Sequence, residues 1–156
     1  MRFAIAAALA LTAASSLHAQ VAQMPTAVDP GYATPVQGSW LYSAVAGGSN
    51  ASFLDTAGRP QLTIHCTRAA RRVRIAKPAT GAAPFLLMWT TSMSRNVPAS
   101  FDPATALLSA DLSAYDPLLD ALAFSRARIA VTVSGGAQLV VPNWPEVERV
   151  IEDCRA

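Results

Sequence analysis

The chain has 156 residues, of which 52% are hydrophobic and 14% are charged, and its formal net charge is +2. A balance this close to neutral argues against a strong polyanion binder, nucleic acid included, and against an acidic tail. The length is sufficient for one domain with a hydrophobic core. After residue 19 no apolar stretch is long enough to span a bilayer.

The first nineteen residues have the three-part pattern of a secretory signal peptide. Arg2 supplies a positive charge, the apolar run covers residues 3–14, and small residues lead to Ala19, after which we expect cleavage. A membrane anchor is the alternative, but a bilayer needs roughly 20 apolar residues. We therefore expect a mature chain that is exported to the periplasm or secreted and is not inserted in the membrane. Removal of Arg2 lowers the formal charge to +1.

Residues 20–37 differ in composition from the rest of the chain. They contain Pro25, Pro30, Gly31 and Pro35 and show little hydrophobic periodicity, which is typical of a flexible N-terminal lead. From residue 38 short alternating segments begin. We interpret residues 38–156 as a single β-rich domain.

Alternation of apolar and polar residues predicts most of the domain to be strands. Glycine pairs at 47–48 and 135–136 predict hairpin turns, and Pro98 and Pro103 predict that residues 93–105 are irregular. The predicted strands cover residues 39–46, 50–55, 61–68, 72–77, 85–92, 106–112, 126–134 and 137–141.

Two helices are predicted from their start signals. Asp116 followed by Pro117 is a typical N-cap for a short helix over residues 118–124. Asn143 and Glu146 have the spacing of a capping box ahead of a C-terminal helix. On that helix one apolar face is expected to dock on the sheet. Its members are Val147, Val150, Ile151 and Cys154.

The two cysteines are expected to form a disulfide. Cys66 falls on the inward face of its strand and Cys154 on the apolar face of the last helix, and an exported chain with two cysteines favours a bridge. Such a bridge closes a loop of 88 residues. A reactive thiol pair is the alternative, but it favours close spacing such as C-x-x-C. The predicted fold is mainly β: an antiparallel β-sandwich or open barrel with one short internal helix and a C-terminal helix tied down by the disulfide.

The sequence offers few groups for catalysis, and we predict no catalytic residue, metal or cofactor. After cleavage His65 is the only histidine, and a hydrolase built on it would lack the G-x-S-x-G elbow. Asp111, Asp116 and Asp120 are close in sequence, as in a glycosidase pair. Asp116 is better explained as a helix cap and Asp120 as a polar helix position.

A basic run is the one surface feature that suggests a binding role. On the predicted strand Arg72 and Arg74 share the outward face, and with Arg68 they form a possible surface for an anionic partner, either an envelope polymer or an acidic protein. The alternative is that these are edge-strand charges that prevent sheet-to-sheet aggregation.

The order of elements resembles a known group of proteins. A Trp-led strand at Trp40, a strand ending at Cys66, a basic strand, a late hairpin and a helix ending at Cys154 and Arg155 are similar to small periplasmic β-sandwich proteins of proteobacteria. These include the invasion-associated locus B family and type VI secretion accessory proteins. The resemblance implies a non-catalytic role with an envelope protein as partner. The alternative function is a secreted inhibitor of a hydrolase, such as a protease or lysozyme.

Overall fold

The computed structural model describes residues 29–156, so the predicted signal peptide and residues 20–28 of the predicted lead lie outside the described residues. This part of the chain is built mainly of strands, with two α-helices and one short 3₁₀ turn at Arg68–Ala70. The elements in chain order are β1 (Gly38–Val45), β2 (Gly48–Asp55), β3 (Pro60–Thr67), β4 (Arg72–Pro78), β5 (Phe85–Trp89), β6 (Ser94–Pro98), β7 (Ser100–Asp102), β8 (Leu107–Ser113), α1 (Pro117–Ala123), β9 (Arg128–Val133), β10 (Gln138–Pro142) and α2 (Pro145–Arg155).

The strands form two antiparallel sheets around one core. The larger sheet has six strands in the order β1-β2-β3-β4-β8-β7, and the smaller has four in the order β10-β9-β5-β6. The fully buried side chains include Phe53 and Ile64 of the larger sheet and Met88 and Ile129 of the smaller one. The predicted mainly β fold with a short internal helix and a C-terminal helix is confirmed.

The first hairpin turns one residue earlier than its glycines suggest. Val45 pairs with Gly48, so the turn consists of Ala46 and Gly47, and Gly48 already belongs to β2. Gly47 has φ +76°, which a glycine adopts without strain. At Gly48 a Cβ atom would overlap the carbonyl oxygen of Cys66. The first glycine therefore makes the turn, and the second lets β2 and β3 approach closely.

Trp40 joins the two sheets at one corner. Its ring meets that of Phe53 edge-on, with centroids 5.6 Å apart. Its indole nitrogen donates a hydrogen bond of 2.7 Å to the carbonyl of Pro142 at the end of β10. A buried indole N–H needs such a partner, so this bond fixes where the first strand of one sheet meets the last strand of the other.

The start of α1 agrees with the sequence, and the start of α2 does not. Asp116 accepts a hydrogen bond of 2.9 Å from the backbone N–H of Leu118. The N-cap of α2 is Trp144, without a side-chain capping bond, so the predicted capping box of Asn143 and Glu146 is wrong. The Asn143 amide is occupied elsewhere, as described below.

The prediction that residues 93–105 are irregular is also wrong. β6 and β7 lie within them and pair with β5 and β8 respectively. In β6 only Val97 is buried, and β7 has three residues. Such segments carry almost no hydrophobic alternation, and their strand conformation comes from the neighbouring strand to which they bond.

Residues 29–37 cross one end of the smaller sheet. The backbone N–H of Val36 donates to the carbonyl of Val140 in β10, at 2.8 Å. The Arg128 guanidinium at the start of β9 donates to the carbonyl of Ala33, and Gly31 lies beside the Trp89 ring at the end of β5. Within residues 29–156 neither helix is both long and apolar enough to cross a bilayer.

Candidate binding surfaces

The predicted disulfide between Cys66 and Cys154 is confirmed. The two Cα atoms are 5.4 Å apart, and 88 residues separate them in sequence. Both cysteines are completely buried. The bridge ties α2 to β3, so the apolar face predicted for this helix covers the inner face of the larger sheet.

A polar contact holds the other side of α2 against β1. The Arg149 guanidinium stacks on the Tyr42 ring, 3.9 Å from its centroid, and the Tyr42 hydroxyl donates a hydrogen bond of 2.7 Å to the Asp153 carboxylate. Burial opposes ionisation of Asp153, but the hydroxyls of Ser49 and Tyr42 and the charges of Arg68 and Arg149 outweigh it and lower the pKa of Asp153. Arg149 and Asp153 are four positions apart on α2, and both side chains contact Tyr42 on β1.

The basic strand β4 lies inside the larger sheet, between β3 and β8. The interpretation of its arginines as edge-strand charges is therefore wrong. Arg74 binds Asp111 of β8 through two hydrogen bonds of 3.0 and 3.1 Å, and this partner raises the pKa of Arg74. Arg72 is exposed and donates to the backbone carbonyl of Asp111 at 3.1 Å. The Asp111 carboxylate thus neutralises the charge of Arg74. Arg72 binds a neutral carbonyl there, so it contributes a positive charge to the outer face.

Arg68 does not lie with the other two arginines. It stands in the 3₁₀ turn after β3 and donates to the backbone carbonyl of Asp153 in α2, at 3.2 Å. The predicted anionic-partner surface is therefore divided. Arg72 and Arg74 belong to the outer face of the sheet, and Arg68 belongs to the end of the sheet beside α2.

A trough of about 420 Å³ runs over the outer face of the larger sheet. Its floor is Ala76 of β4, which is only 6% exposed although its side chain points away from the core. Polar side chains flank the floor on both sides, with Thr63 directly across on β3 and Ser109 on β8. The turn after β7 forms one wall, where Asp102 accepts hydrogen bonds from Thr105 and from the Ala104 backbone.

His65 lies at the cationic side of this trough. Its direct neighbours across the sheet are Asn50 on β2 and Arg74 on β4. Together with Asp111 these residues form one polar row across four strands. The row combines hydrogen-bond donors and acceptors on a rigid support, which suits recognition of a polar segment. In residues 29–156 no cluster of three or more His, Cys, Asp or Glu is arranged to hold a metal ion.

A second exposed feature is the loop between α1 and β9. Phe124 is 72% exposed there, and the loop around it is fixed by the Asn143 amide. That amide donates to the carbonyls of Leu122, Ala123 and Ser125 at 3.0, 3.3 and 2.8 Å. A large apolar side chain is thus presented to solvent on a rigid backbone.

Sequence reasoning missed both the trough and this loop. Alternation predicts that Arg74 is on an outward face, but it does not show that β8 and the turn after β7 lie beside β4. The sequence predicts that Phe124 belongs to the short helix, whereas α1 ends at Ala123. Comparison with models of protein families, with curated proteins and with solved structures finds no match to this chain.

Proposed function

We propose that this protein is an exported binding or accessory protein of the bacterial envelope, which acts without catalysis through contacts with a partner protein. The observation that carries the proposal is the trough over Ala76, whose lining combines Arg74 and other polar side chains with the apolar Phe101 and Leu107. It is built on central strands of a sheet, where the backbone is held on both sides. Binding sites on such rigid elements are held more accurately than sites on loops.

The chemistry of the trough favours a protein segment that combines an apolar side chain with polar groups and some negative charge. Arg74 places a positive charge in the lining, and Arg72 adds another further along the same outer face. The carboxylate of Asp102 in the lining, and that of Asp111 bound to Arg74, limit how much anionic charge the trough accepts. The volume of about 420 Å³ is within the range of roughly 300–1,000 Å³ found for ligand sites. A few side chains of a partner fit this space.

A non-catalytic role is consistent with the surroundings of His65. A general base usually has a carboxylate that orients its ring. Here Asn50 and Arg74 flank His65 in the sheet, and the nearest carboxylate in the row, that of Asp111, binds Arg74. The resemblance to periplasmic accessory proteins noted from the order of elements points to the same role.

The test is crosslinking in intact bacterial cells, followed by purification of the tagged protein under non-reducing conditions. One envelope protein should recur. The Arg72→Ser/Arg74→Ser variant and the trough-filling Ala76→Leu variant should each reduce its recovery about tenfold or more. Loss of two exposed arginines elsewhere, in Arg59→Ser/Arg126→Ser, is the matched control and should leave recovery unchanged.

Two results would contradict the proposal. If no envelope protein recurs in the crosslinked samples, the accessory role fails. If a partner recurs and both trough variants retain it, the partner is real but the trough is not its binding site.

A second candidate function, inhibition of a secreted hydrolase, is favoured by the rigid loop that presents Phe124. Inhibitors gain affinity by holding such a loop in its bound conformation before contact. A protease or lysozyme inhibited at stoichiometric ratio by the wild type, but not by Phe124→Ala, would support this function over the first. Wild-type protein that inhibits no tested hydrolase would dismiss it.

A further inference from the structure

The two sheets end in four edge strands, and three of these are protected. β7 has three residues, and β6 contains Arg95 and ends at Pro98. β10 ends at Pro142 and bonds to Val36 of the crossing segment. Shortness, charge, proline and a covering segment are the usual means by which proteins prevent an edge from pairing with another chain.

The fourth edge, β1, has none of these protections among residues 29–156. It is eight residues long, with the sequence GSWLYSAV, and contains no charged residue and no proline. It pairs with β2 in an unbroken register without a bulge. On its outer face Leu41 is 58% exposed and Val45 is 40% exposed. An edge that is long, regular and apolar is a template for another strand.

The hairpin turn decides which backbone groups this edge presents. In a hairpin with a two-residue turn the flanking residues, here Val45 and Gly48, form a hydrogen-bonded pair. Because bonding alternates along an antiparallel strand, Trp40, Tyr42 and Ala44 direct their backbone groups away from β2. Within residues 29–156 no backbone hydrogen bond from another segment reaches these groups.

We propose that β1 pairs with β1 of a second copy of this chain, antiparallel about a two-fold axis, with Leu41 opposite Leu41 of the other copy. In this register Trp40 faces Tyr42 of the other copy, so the groups directed outward meet each other. Ser39 faces Ser43, and the two exposed Leu41 side chains bury one another at the axis.

Charge and chain direction favour a second copy over other occupants. A strand without charge does not repel its own copy, and the α2 side chains beside it, Arg149 and Asp153, carry both signs. In chain order the segment before β1 runs from the end of β5 past β9 to β10. The described residues therefore begin at the end of β5, on the side of the smaller sheet away from β1.

The pairing also stops at two copies, which distinguishes it from open-ended aggregation. Two six-stranded sheets joined at β1 form one sheet of twelve strands, whose outermost strands are the short β7 of each copy. Both troughs then lie on the same outer face. Seven strand spacings separate the two copies of Ala76, a distance of about 34 Å.

The test begins with the mass of the exported protein, measured by size-exclusion chromatography with light scattering across micromolar concentrations. We expect the mass of a dimer, and we expect Leu41→Lys to weaken association about tenfold or more because like charges meet at the axis. Leu87→Lys, at a half-buried position of the other sheet, is the control and should remain dimeric. Circular dichroism confirms that each variant is folded.

Cysteine crosslinking tests the register itself. Opposed Cα atoms in a non-hydrogen-bonded antiparallel pair are about 4.5 Å apart, within reach of a disulfide. Leu41→Cys should therefore form a linked dimer on oxidation, with a 41–41 peptide pair in the mass spectrum. Val45→Cys lies on the same face of the same strand, but it is about 27 Å from its own copy in this register, and should remain unlinked.

Three results would overturn the inference. A monomeric wild type at every concentration excludes the pairing, and equal linking of both cysteine variants excludes the register. A monomer that binds a different protein through β1 shows that the edge has another occupant. None of these results bears on the proposed function, because that function is tested with trough variants that leave β1 unchanged.

Discussion

Removing the disulfide is the perturbation whose effect can best be calculated. Cys66→Ala/Cys154→Ala replaces two completely buried residues by smaller apolar ones and opens a loop of 88 residues. In the chain-entropy model, closing such a loop destabilises the unfolded chain by about 4.6 kcal/mol at 25 °C. We expect the free energy of unfolding to fall by about that amount, and the melting temperature to fall by roughly 3 to 5 °C for each kcal/mol.

The assay is urea unfolding of the oxidised wild type, the wild type treated with reductant, and the double variant. The reduced wild type and the variant should agree within about 1 kcal/mol, since both lack the restraint on the unfolded chain. The slope of free energy against urea should increase, because the released unfolded chain exposes more surface. A loss of less than about 1 kcal/mol would refute the reasoning that the bridge stabilises the fold through the unfolded state.

Three further predictions concern polar contacts. Asn143→Ala removes the two N–H donors that three carbonyls of the loop before β9 share and should lower the free energy of unfolding by about 2 to 4 kcal/mol, measured with urea. Asp116→Ala removes the α1 cap and should cost about 1 kcal/mol in the same assay. The lowered pKa of Asp153 stabilises the fold above the pKa of the unfolded chain, and this stability is lost as pH falls through the folded pKa. The stability of Asp153→Asn should therefore depend less on pH below about pH 4.

Each of these has its own control. Asn96→Ala, on the exposed side of β6, should leave stability within about 0.5 kcal/mol of the wild type, and a similar loss there would contradict the role of Asn143. For Asp116→Ala the control is the Cys66–Cys154 disulfide, which should still form because the cap belongs to α1 and the bridge holds α2. If Asp153→Asn loses stability in parallel with the wild type as the pH falls, other carboxylates carry the acid sensitivity.

Sequence periodicity predicts the strands whose side chains alternate between core and solvent. It fails for segments whose strand conformation depends on pairing with a neighbouring strand. β3 has Leu62, Ile64 and Cys66 buried in strict alternation, so its conformation and inward face could be predicted. β6 has one buried residue, and its strand geometry comes from pairing with β5. The local sequence of β6 does not indicate that β5 will pair with it.

The binding surfaces depend on the order of strands in the sheet, which local sequence patterns do not reveal. Arg74 and Asp111 are 37 positions apart, and they form an ion pair because β8 returns beside β4. The same return places Ser109 beside Ala76 and forms the trough. Similarly, Asn143 has capping-box spacing, but its side-chain NH₂ group donates to carbonyls of the loop after α1, and its side chain makes no capping bond to α2. Long-range contacts therefore set the chemistry of these surfaces.

The position of the two cysteines also has a consequence in time. Cys66 is the second-last residue of the third strand, and Cys154 follows all the strands of both sheets. At synthesis rates of about 5 to 20 residues per second, a chain made from its N-terminus presents Cys66 about 4 to 18 s before Cys154. During that interval α2 does not yet exist to cover β2 and β3, and the thiol of Cys66 has no internal partner. Because the chain has only two cysteines, no wrong internal disulfide can form. The disulfide therefore forms only after the whole domain has been made.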